Sequence, residues 1–268
     1  MTIAMDREEL LRAGDLNLVE VLRHYARHHP GGVVHEEDGV VLFAGSPVWP
    51  GPFDDGAFVL DRRTEPDRVL ALAAEFFAGL RPAYSVWLAD HHDPALERAA
   101  LDAGLAPLGE GDPQMVLHAR LADAVPPEGV ELRQVVDDRT REDYLTVLRG
   151  SFTPAQGTPP EVFDGYFGTV ESLCAPHVRT VVAYEHDRPV AGAMVIISHG
   201  VAGVQYVGTV EGARGRGHGE LVTRWVGNTG FDLGARVAAL QASDMGEPVY
   251  RRMGYETVTR YRYVMGSG

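Results

Sequence analysis

The chain has 268 residues, a formal net charge of −14 at pH 7 and 45% hydrophobic residues, which suits a globular protein of one large or two modest domains. An acidic surface repels phosphate backbones, so nucleic acid is not an expected partner. No apolar run approaches the roughly 20 residues that span a bilayer, so no membrane partner is expected. The single cysteine, Cys174, excludes an intramolecular disulfide, and the acidic first ten residues lack the apolar segment of a secretory signal, so we expect a cytoplasmic protein.

Hydrophobic spacing predicts alternating helices and strands through residues 1–122, which we treat as the first domain. Leu18, Leu22 and Tyr25 form a helical stripe, and Asp38-Gly39 predicts a hairpin turn. Strands are predicted at 33–36, 40–44, 56–61, 85–89 and 115–119, with further helices at 69–80 and 96–103.

The run Pro126-Pro127-Glu128-Gly129 interrupts this pattern, so we predict a linker at about 120–129 and a second domain at 130–268. Strands follow at 130–135, 179–184, 189–198, 201–210, 236–242 and 256–264. Helices follow at 141–151, 162–170, 217–230 and 247–253, with a polar, proline-rich loop at 153–160. Because the first domain repeats much of this order, an internal duplication is predicted.

The most informative segment is the glycine-rich turn at residues 209–219, which joins a predicted strand to a predicted helix. A helix N-terminus offers unpaired amides and the positive end of the helix dipole. Glycines allow the backbone to approach an anion closely, and Arg214 and Arg216 add positive charge to an acidic chain. The turn therefore predicts a pyrophosphate cradle.

Other glycine-rich turns have different contexts. A dinucleotide-binding turn has an acidic residue about 20 positions on, and Asp232 meets that criterion, but such a fold would not place three hairpin-like strands before the turn. A Walker loop is excluded because no Lys followed by Ser or Thr is present in the turn. The remaining alternative is a glycine-rich surface turn that binds nothing.

Two motifs in order carry a resemblance to a known family. Residues Arg214-Gly215-Arg216-Gly217-His218-Gly219 fit the Arg/Gln-x-x-Gly-x-Gly/Ala signature of the GNAT superfamily. About 30 residues later, the run at 248–255 is similar to the Tyr-x-x-x-Gly-aromatic ending of that superfamily. The resemblance covers 178–265 and extends loosely to 130, whereas it covers the first domain only through the duplication, as in tandem GNAT proteins with a degenerate first copy.

The resemblance implies an α/β (α+β) fold with a mixed, mostly antiparallel sheet flanked by helices, present in two copies. It also implies acetyl-CoA as co-substrate, with glycine-loop amides on the pyrophosphate and strand backbone beside the pantetheine arm. Tyr250 matches the tyrosine that protonates the departing thiolate. The residues implied in acetyl-CoA binding are Val207, Gly208, Thr209, Val210, Arg214, Gly215, Arg216, Gly217, His218, Gly219 and Ser243.

The chain also departs from the family pattern. Glu211 stands where a proline is frequent, and His218 stands where an aliphatic residue is usual. Some relatives carry a glutamate as general base on the strand before the turn, where this chain has Gln205 and Tyr206. Four other carboxylates are candidates, and the sequence assigns none of them: Glu161, Asp164, Glu171 and Glu185.

Histidine pairs suggest a metal site only weakly. His24 and His28 lie four residues apart on a predicted helix, but the chain has no HExxH motif and no evident third ligand. His91 and His92 follow a predicted strand, with no nucleophile nearby in the sequence to complete a triad. We therefore expect no metal.

The expected function is transfer of an acetyl group from acetyl-CoA to a primary amine of a small molecule or a peptide. The alternative is a non-catalytic protein of the same fold that binds or senses acyl-CoA. The first domain lacks a glycine-rich turn between Asp61 and Val69, so we expect it to bind no CoA and to serve for assembly or for shaping the acceptor pocket. A homodimer, the acceptor and the general base stay open at this point.

Overall fold

The computed structural model describes residues 5–47 and 54–268. The elements of the first half are α1 (Arg7–His28), β1 (Val33–Glu37), β2 (Val40–Ala44), β3 (Asp55–Val59), α2 (Pro66–Phe77), β4 (Ala83–Ala89), α3 (Pro94–Asp102) and β5 (Ala106–Leu117). Those of the second half are β6 (Val130–Gln134), α4 (Asp138–Gln156), α5 (Pro160–Tyr166), α6 (Glu171–Cys174), β7 (Val178–Glu185), β8 (Arg188–Ser198), β9 (Val201–Thr209), α7 (His218–Asp232), β10 (Val237–Gln241), α8 (Glu247–Arg252) and β11 (Glu256–Ser267). In the parts of the chain thus described, no helix combines the length and the hydropathy needed to cross a membrane.

All of these strands form a single sheet in the order β1-β2-β3-β4-β11-β5-β10-β9-β8-β7-β6. Neighbouring strands are antiparallel except for β3 with β4 and β9 with β10, which are parallel. Helices cover the sheet, so the predicted mixed, mostly antiparallel fold is confirmed.

The two halves repeat the same element order. The succession β1-β2-β3-α2-β4-α3-β5 recurs as β7-β8-β9-α7-β10-α8-β11, with the parallel pair at the same place in each. The last strands are exchanged, because β5 pairs with β10 of the second half while β11 pairs with β4 of the first. Each half therefore completes the sheet of the other.

Alternating side chains of β7 and β8 build a core on both faces of the second half, as expected for strands covered on both sides. Val181 and Val195 face α7 and pack with Val222. Val182 and Met194 face the opposite way, where α4 and α1 cover them. Helix α1 belongs to the first half by sequence, yet it covers strands of the second.

A buried polar contact fixes α1 on that sheet. The side-chain amide of Asn17 donates to the carbonyl oxygen of Ile196 at 3.1 Å and to the hydroxyl of Ser198 at 2.8 Å. A Cβ on Gly203 would lie 2.2 Å from the Asn17 side-chain oxygen, so this approach requires glycine. Helix α1 is therefore held against β8 and β9 at a defined depth.

Several predicted boundaries were wrong, including the end of the helix predicted at 162–170, since α5 ends at Tyr166. The predicted loop begins at Thr153, but α4 continues to Gln156 and ends at Gly157, whose φ of 73° suits glycine. Pro154 removes only one helical hydrogen bond near the end, and the turn persists. Strand β5 begins at Ala106 instead of residue 115, because its first half is held by backbone pairing to β11 while its side chains stay exposed.

A buried ionic cluster joins α1, the β4–α3 connection and β11. Asp15 accepts hydrogen bonds from His91 at 3.0 Å, from His92 at 3.3 Å and from the Tyr261 hydroxyl at 2.6 Å. Burial by itself lowers the pKa of His92, but its hydrogen bonds to Asp15 and Asp93 outweigh burial and raise the pKa to about 9. For the Asp15 carboxyl, burial opposes ionisation, yet the bonds from both histidines lower its pKa below the usual value.

The cluster predicts a loss of stability in mild alkali. The stability contributed by charged His92 is complete below pH 6.5, the ordinary histidine pKa, and is lost as the pH rises through about 9. We expect the difference in unfolding free energy between wild type and His92→Asn to shrink by about 3 kcal/mol between pH 6.5 and pH 9. Urea unfolding at several pH values measures this difference in free energy. If the difference stayed constant across the range, charged His92 would not be paired with Asp15 and Asp93.

Candidate functional site

The site begins where β9 separates from β10. The two strands pair only from Val201 with Val237 to Gly203 with Ala239, although β9 runs on to Thr209. On its other side β9 carries one extra residue relative to β8, between the partners of Gly192 and Met194. Such a bulge bends its strand, so β9 turns away from β10 and a gap opens between them.

The second half of β9 therefore has a free edge. From Val204 to Thr209, its backbone pairs with β8 on one side and with no described strand on the other. Tyr206 lies at the bulge with φ of 46°, a conformation that non-glycine residues rarely adopt. The free edge can bond an extended ligand chain as an added strand would.

The glycine-rich turn follows directly after this edge. Gly215 and Gly217 have φ of 74° and 82°, and a Cβ on either would point into open space. Helix α7 starts at His218, and among the described residues the amides of residues 215–220 have no hydrogen-bond acceptor. The turn thus presents a row of free donors at the positive end of a helix dipole.

The charged residues of the turn take different directions. The Arg214 guanidinium folds across the cleft and donates to the carbonyl oxygens of Thr209 at 3.2 Å and Ser151 at 3.3 Å. Arg216 instead pairs with both carboxylate oxygens of Glu185 at 2.7 Å. Glu211 is exposed in a short 3-10 turn outside the cleft, so its charge does not face the free amides.

A cleft of about 390 Å³ runs from the turn along the free edge of β9. Predicted residues that line it are Val207, Gly208, Thr209, Arg214, Gly215, Gly217, His218, Gly219, Ser243 and Tyr250. Val210 and Arg216 lie outside its lining. The sequence analysis did not single out the lining residues Ser151, Phe152, Ala155, Gln156, Ala213, Glu220, Met245, Gly246, Val249 and Arg252. The first four come from the end of α4, part of which was predicted as a loop.

Tyr250 lies on α8 at the end of the cleft. Its side chain is mostly buried, and burial raises the pKa of the phenol to about 12, so the hydroxyl keeps its proton at neutral pH. The hydroxyl makes no hydrogen bond to any residue within 5–47 or 54–268. Its ring lies against Gly246, where a Cβ would come within 2.7 Å of the ring. Tyr250 therefore offers an unengaged proton donor.

His218 is buried at the first position of α7. Both of its ring nitrogens lack a hydrogen-bond partner among the described residues, and the nearest carboxylate oxygen, on Glu185, is 3.7 Å away. Burial lowers the pKa of His218, so the ring is neutral at pH 7. His218 therefore lies at the start of the helix as a neutral, buried ring.

Strand β9, where the resemblance to the GNAT superfamily pointed to a possible glutamate base, is neutral at Gln205 and Tyr206. The Gln205 side chain donates to Gln241 at 3.3 Å, and Gln241 bonds to Gln114 in turn. The four carboxylates considered from the sequence, Glu161, Asp164, Glu171 and Glu185, line neither the cleft nor the cavity beside it. Asp164 pairs with Arg149, as Glu185 does with Arg216.

A second cavity of about 240 Å³ opens beside the end of the cleft. The two spaces share Phe152, Gln156, Val207, Ser243 and Tyr250. The cavity reaches α1 of the first half, and its other lining residues are Leu18, Val21, Leu22, Tyr25, Asp54, Asp112, Thr158, Val162, Phe163, Val204, Gln205, Tyr206, Leu240 and Gln241. A molecule in the cavity would therefore meet the end of an extended ligand in the cleft, beside Tyr250.

The paired histidines singled out from the sequence form hydrogen bonds within the protein. A ring nitrogen of His24 lies 2.8 Å from the carbonyl oxygen of Ser172, and one of His28 lies 2.9 Å from that of His24. Within the described ranges, the three side chains that could together hold a metal ion are Asp15, His91 and His92, whose ligand atoms lie within 4.8 Å of one another. Their mutual hydrogen bonds already account for this arrangement, and the absence of a metal stays a prediction.

Solved structures with the same architecture span nearly the whole chain. A GCN5-related N-acetyltransferase from Kribbella flavida matches with a TM-score of 0.72 and 21% identity over 95% of this chain and 96% of that one. A GCN5-related N-acetyltransferase from Sphaerobacter thermophilus matches with a TM-score of 0.65 and 19% identity, covering 93% of this chain and 85% of that one.

A tandem GNAT protein from the clavulanic acid biosynthesis pathway matches with a TM-score of 0.60 and 16% identity, over 94% of this chain and 95% of that one. No protein-family model matches the chain, and no curated protein matches it. The full-length structural matches, the repeated element order and the bulged strand that leads into a glycine-rich turn agree with one another. The chain has the fold of the GNAT N-acetyltransferases.

Proposed function

We propose that the protein is an acyltransferase that uses acetyl-CoA and acetylates a primary amine of a small molecule or a peptide. The observation that carries the proposal is the continuity between the free edge of β9, the row of free amides at residues 215–220 and a cleft that ends at Tyr250. An extended chain with amide groups and a pyrophosphate at one end matches this sequence of donors and acceptors. Acetyl-CoA supplies an activated acetyl group at the other end of such a chain.

The cleft residues form three groups, each placed to lie beside a different part of acetyl-CoA. Amides of Gly215 to Gly219 are placed to bind the pyrophosphate, with Arg214 and Arg252 adding positive charge along the lining. The backbone of Val207 to Thr209 is placed to pair with the pantetheine arm. Ser243 and Tyr250 line the end where the thioester would lie, so the fixed geometry would bring donor and acceptor together.

Tyr250 is assigned the general acid. Its neutral phenol faces both the cleft and the adjoining cavity, and its raised pKa keeps the proton available when the thiolate leaves. The neutral Gln205 on β9 favours the alternative of an acyl-CoA-binding or sensing protein, because that strand supplies no base. CoA release from acetyl-CoA, measured across a panel of amines, separates the two: release above the amine-free rate supports the enzyme.

Gly217→Glu should weaken acetyl-CoA binding at least tenfold, about 1.4 kcal/mol, because it adds a carboxylate to the phosphate cradle. The matched control is Gly234→Glu, since Gly234 is also exposed, has a φ of 96° and has open space where a Cβ would lie. Both variants bear the same left-handed backbone cost, but only Gly217 lines the cleft. If calorimetry gave the same acetyl-CoA affinity for both folded variants, the glycine-rich turn would not be the pyrophosphate-binding site.

Tyr250→Phe should lower kcat by roughly 10- to 100-fold, because it deletes the proton donor while keeping the ring and its packing. The affinity for acetyl-CoA should change by less than about threefold, since an interaction needed only when the thiolate leaves does not tighten the ground state. Steady-state rates and calorimetry on the same variant measure the two constants. A collapse of affinity with kcat retained would instead make Tyr250 a residue that positions the donor.

A further inference from the structure

We infer that the cavity beside Tyr250 binds a small cationic amine with an apolar body, and that Asp54 of the first half pairs with its ammonium group and takes its proton. The inference rests on the proposed acetyl transfer for the reaction, whereas the binding it describes is independent of that reaction. The amine would be held between the two halves of the chain, in a space that the second half does not enclose alone.

The cavity walls suit an apolar body of limited size. Tyr206 lies at their centre, with ring centroids 5.3 Å from Tyr25, 5.6 Å from Phe152 and 6.1 Å from Phe163. Leucine and valine side chains of α1 complete this surface. The volume of about 240 Å³ is below the roughly 300–1,000 Å³ of pockets for drug-sized ligands, so a small amine or a single side chain fits.

Charge is divided between the two connected spaces. The cleft is lined by Arg214 and Arg252, which suits phosphates. The one carboxylate among its described lining residues, Glu220, is paired with Arg224. The cavity is lined by Asp54 and Asp112, and none of the described residues around it is Lys, Arg or His. Aromatic faces also attract cations, so both the charge and the rings of the cavity favour an ammonium group over a carboxylate.

Asp54 is held in a defined position within this wall. Its carboxylate accepts a hydrogen bond from the Tyr166 hydroxyl, which itself accepts one from the backbone amide of Ser46 at 3.1 Å. Among the described residues, the charged or titratable groups near Asp54 include its neighbour Asp55, which pairs with Arg81, and the phenol of Tyr206. Tyr25 and Asp112 line the same cavity.

These surroundings suit a proton acceptor. Burial raises the pKa of Asp54 to about 7, against the hydrogen bond from Tyr166 and with the help of the Asp55 charge. A carboxylate with a pKa near the working pH is suited to general base catalysis. An ammonium group beside Asp54 would also offset the free-energy cost of burying the negative charge of this carboxylate.

Two further polar groups in the wall are placed to bond the amine, Tyr25 and Asp112. The Tyr25 hydroxyl is buried without a hydrogen-bond partner among the described residues, on a side chain 7% exposed. Asp112 accepts a hydrogen bond from the Tyr263 hydroxyl at 2.7 Å, and burial raises the pKa of its carboxyl. Both can bond a second polar group of the amine, which would orient it across the cavity.

The transfer step balances with these residues. The reacting ammonium gives one proton to Asp54, and the nitrogen electron pair forms the N–C bond to the acetyl carbon. The C–S bond breaks with its electron pair on sulphur, Tyr250 protonates that sulphur, and the second nitrogen proton returns to Tyr250 through water. The products are an amide, the thiol of CoA and one proton, which Asp54 releases to solvent.

The test compares three amines with the amino acids from which they differ by one carboxylate: isobutylamine with valine, 2-phenylethylamine with phenylalanine, and tryptamine with tryptophan. Calorimetry on the full chain, with and without CoA, measures each affinity. We expect at least one amine to bind tenfold or more tightly than its amino acid, because the added carboxylate would face Asp54 and Asp112. Equal affinities in all three pairs, or no binding by any amine, would overturn the inference.

The variants separate Asp54 from other carboxylates. Asp54→Asn should weaken amine binding at least tenfold and leave CoA affinity within twofold, whereas the control Asp164→Asn, outside both spaces, should change neither. With acetyl-CoA present, Asp54→Asn should lower kcat/KM about 100-fold. If the protein binds an amine but not CoA, the proposed function is contradicted, whereas the cation-binding site in the cavity is supported. An amine that binds beside acetyl-CoA and is not acetylated at pH 8 would overturn Asp54 as proton acceptor.

Discussion

Beyond Gly203 the backbone of β9 separates from β10. The peptide groups on that edge of β9 then have no described strand as a partner, although β8 still pairs with the other edge. The extra residue in β9 opposite β8 bends the strand, and β10 stays anchored because β5 pairs with it on the other side. The gap therefore leaves β10 in its place while one edge of β9 stays unpaired by any described strand. It creates the free edge, directs the chain into the glycine-rich turn and leaves a cleft whose end meets a second cavity.

The first half has no glycine-rich turn like that of residues 209–219. Its β3–α2 connection has no glycine, and Glu65 and Asp67 at the start of α2 would repel a phosphate. The half contributes structure instead: β5 supports β10, and α1 closes the cavity from above β8 and β9. The Asp15–His91–His92 cluster and the Asn17 contacts hold α1 in that place.

The cleft and the adjoining cavity differ in the charge of the residues that line them. The chain carries a net charge of −14, yet the cleft is lined by arginines and free amides that suit phosphates. The cavity next to it is lined by carboxylates and aromatic rings that suit a cation. Arg216 pairs with Glu185 and lies outside the cleft lining, whereas the backbone amides of the turn stay free. Tyr250 lies where the two environments meet.

The sequence by itself determined the local parts of the protein. The glycine-rich turn, the helix after it, Ser243 and Tyr250 were predictable because their signals are short runs of neighbouring residues. The tertiary structure alone decided the exchange of β5 and β11, the pairing of Arg216 with Glu185, and the placement of Asp54 and Asp112 beside the cleft. These features join residues that are far apart along the chain, and hydrophobic periodicity carries no information about which distant backbone or charge will be the partner.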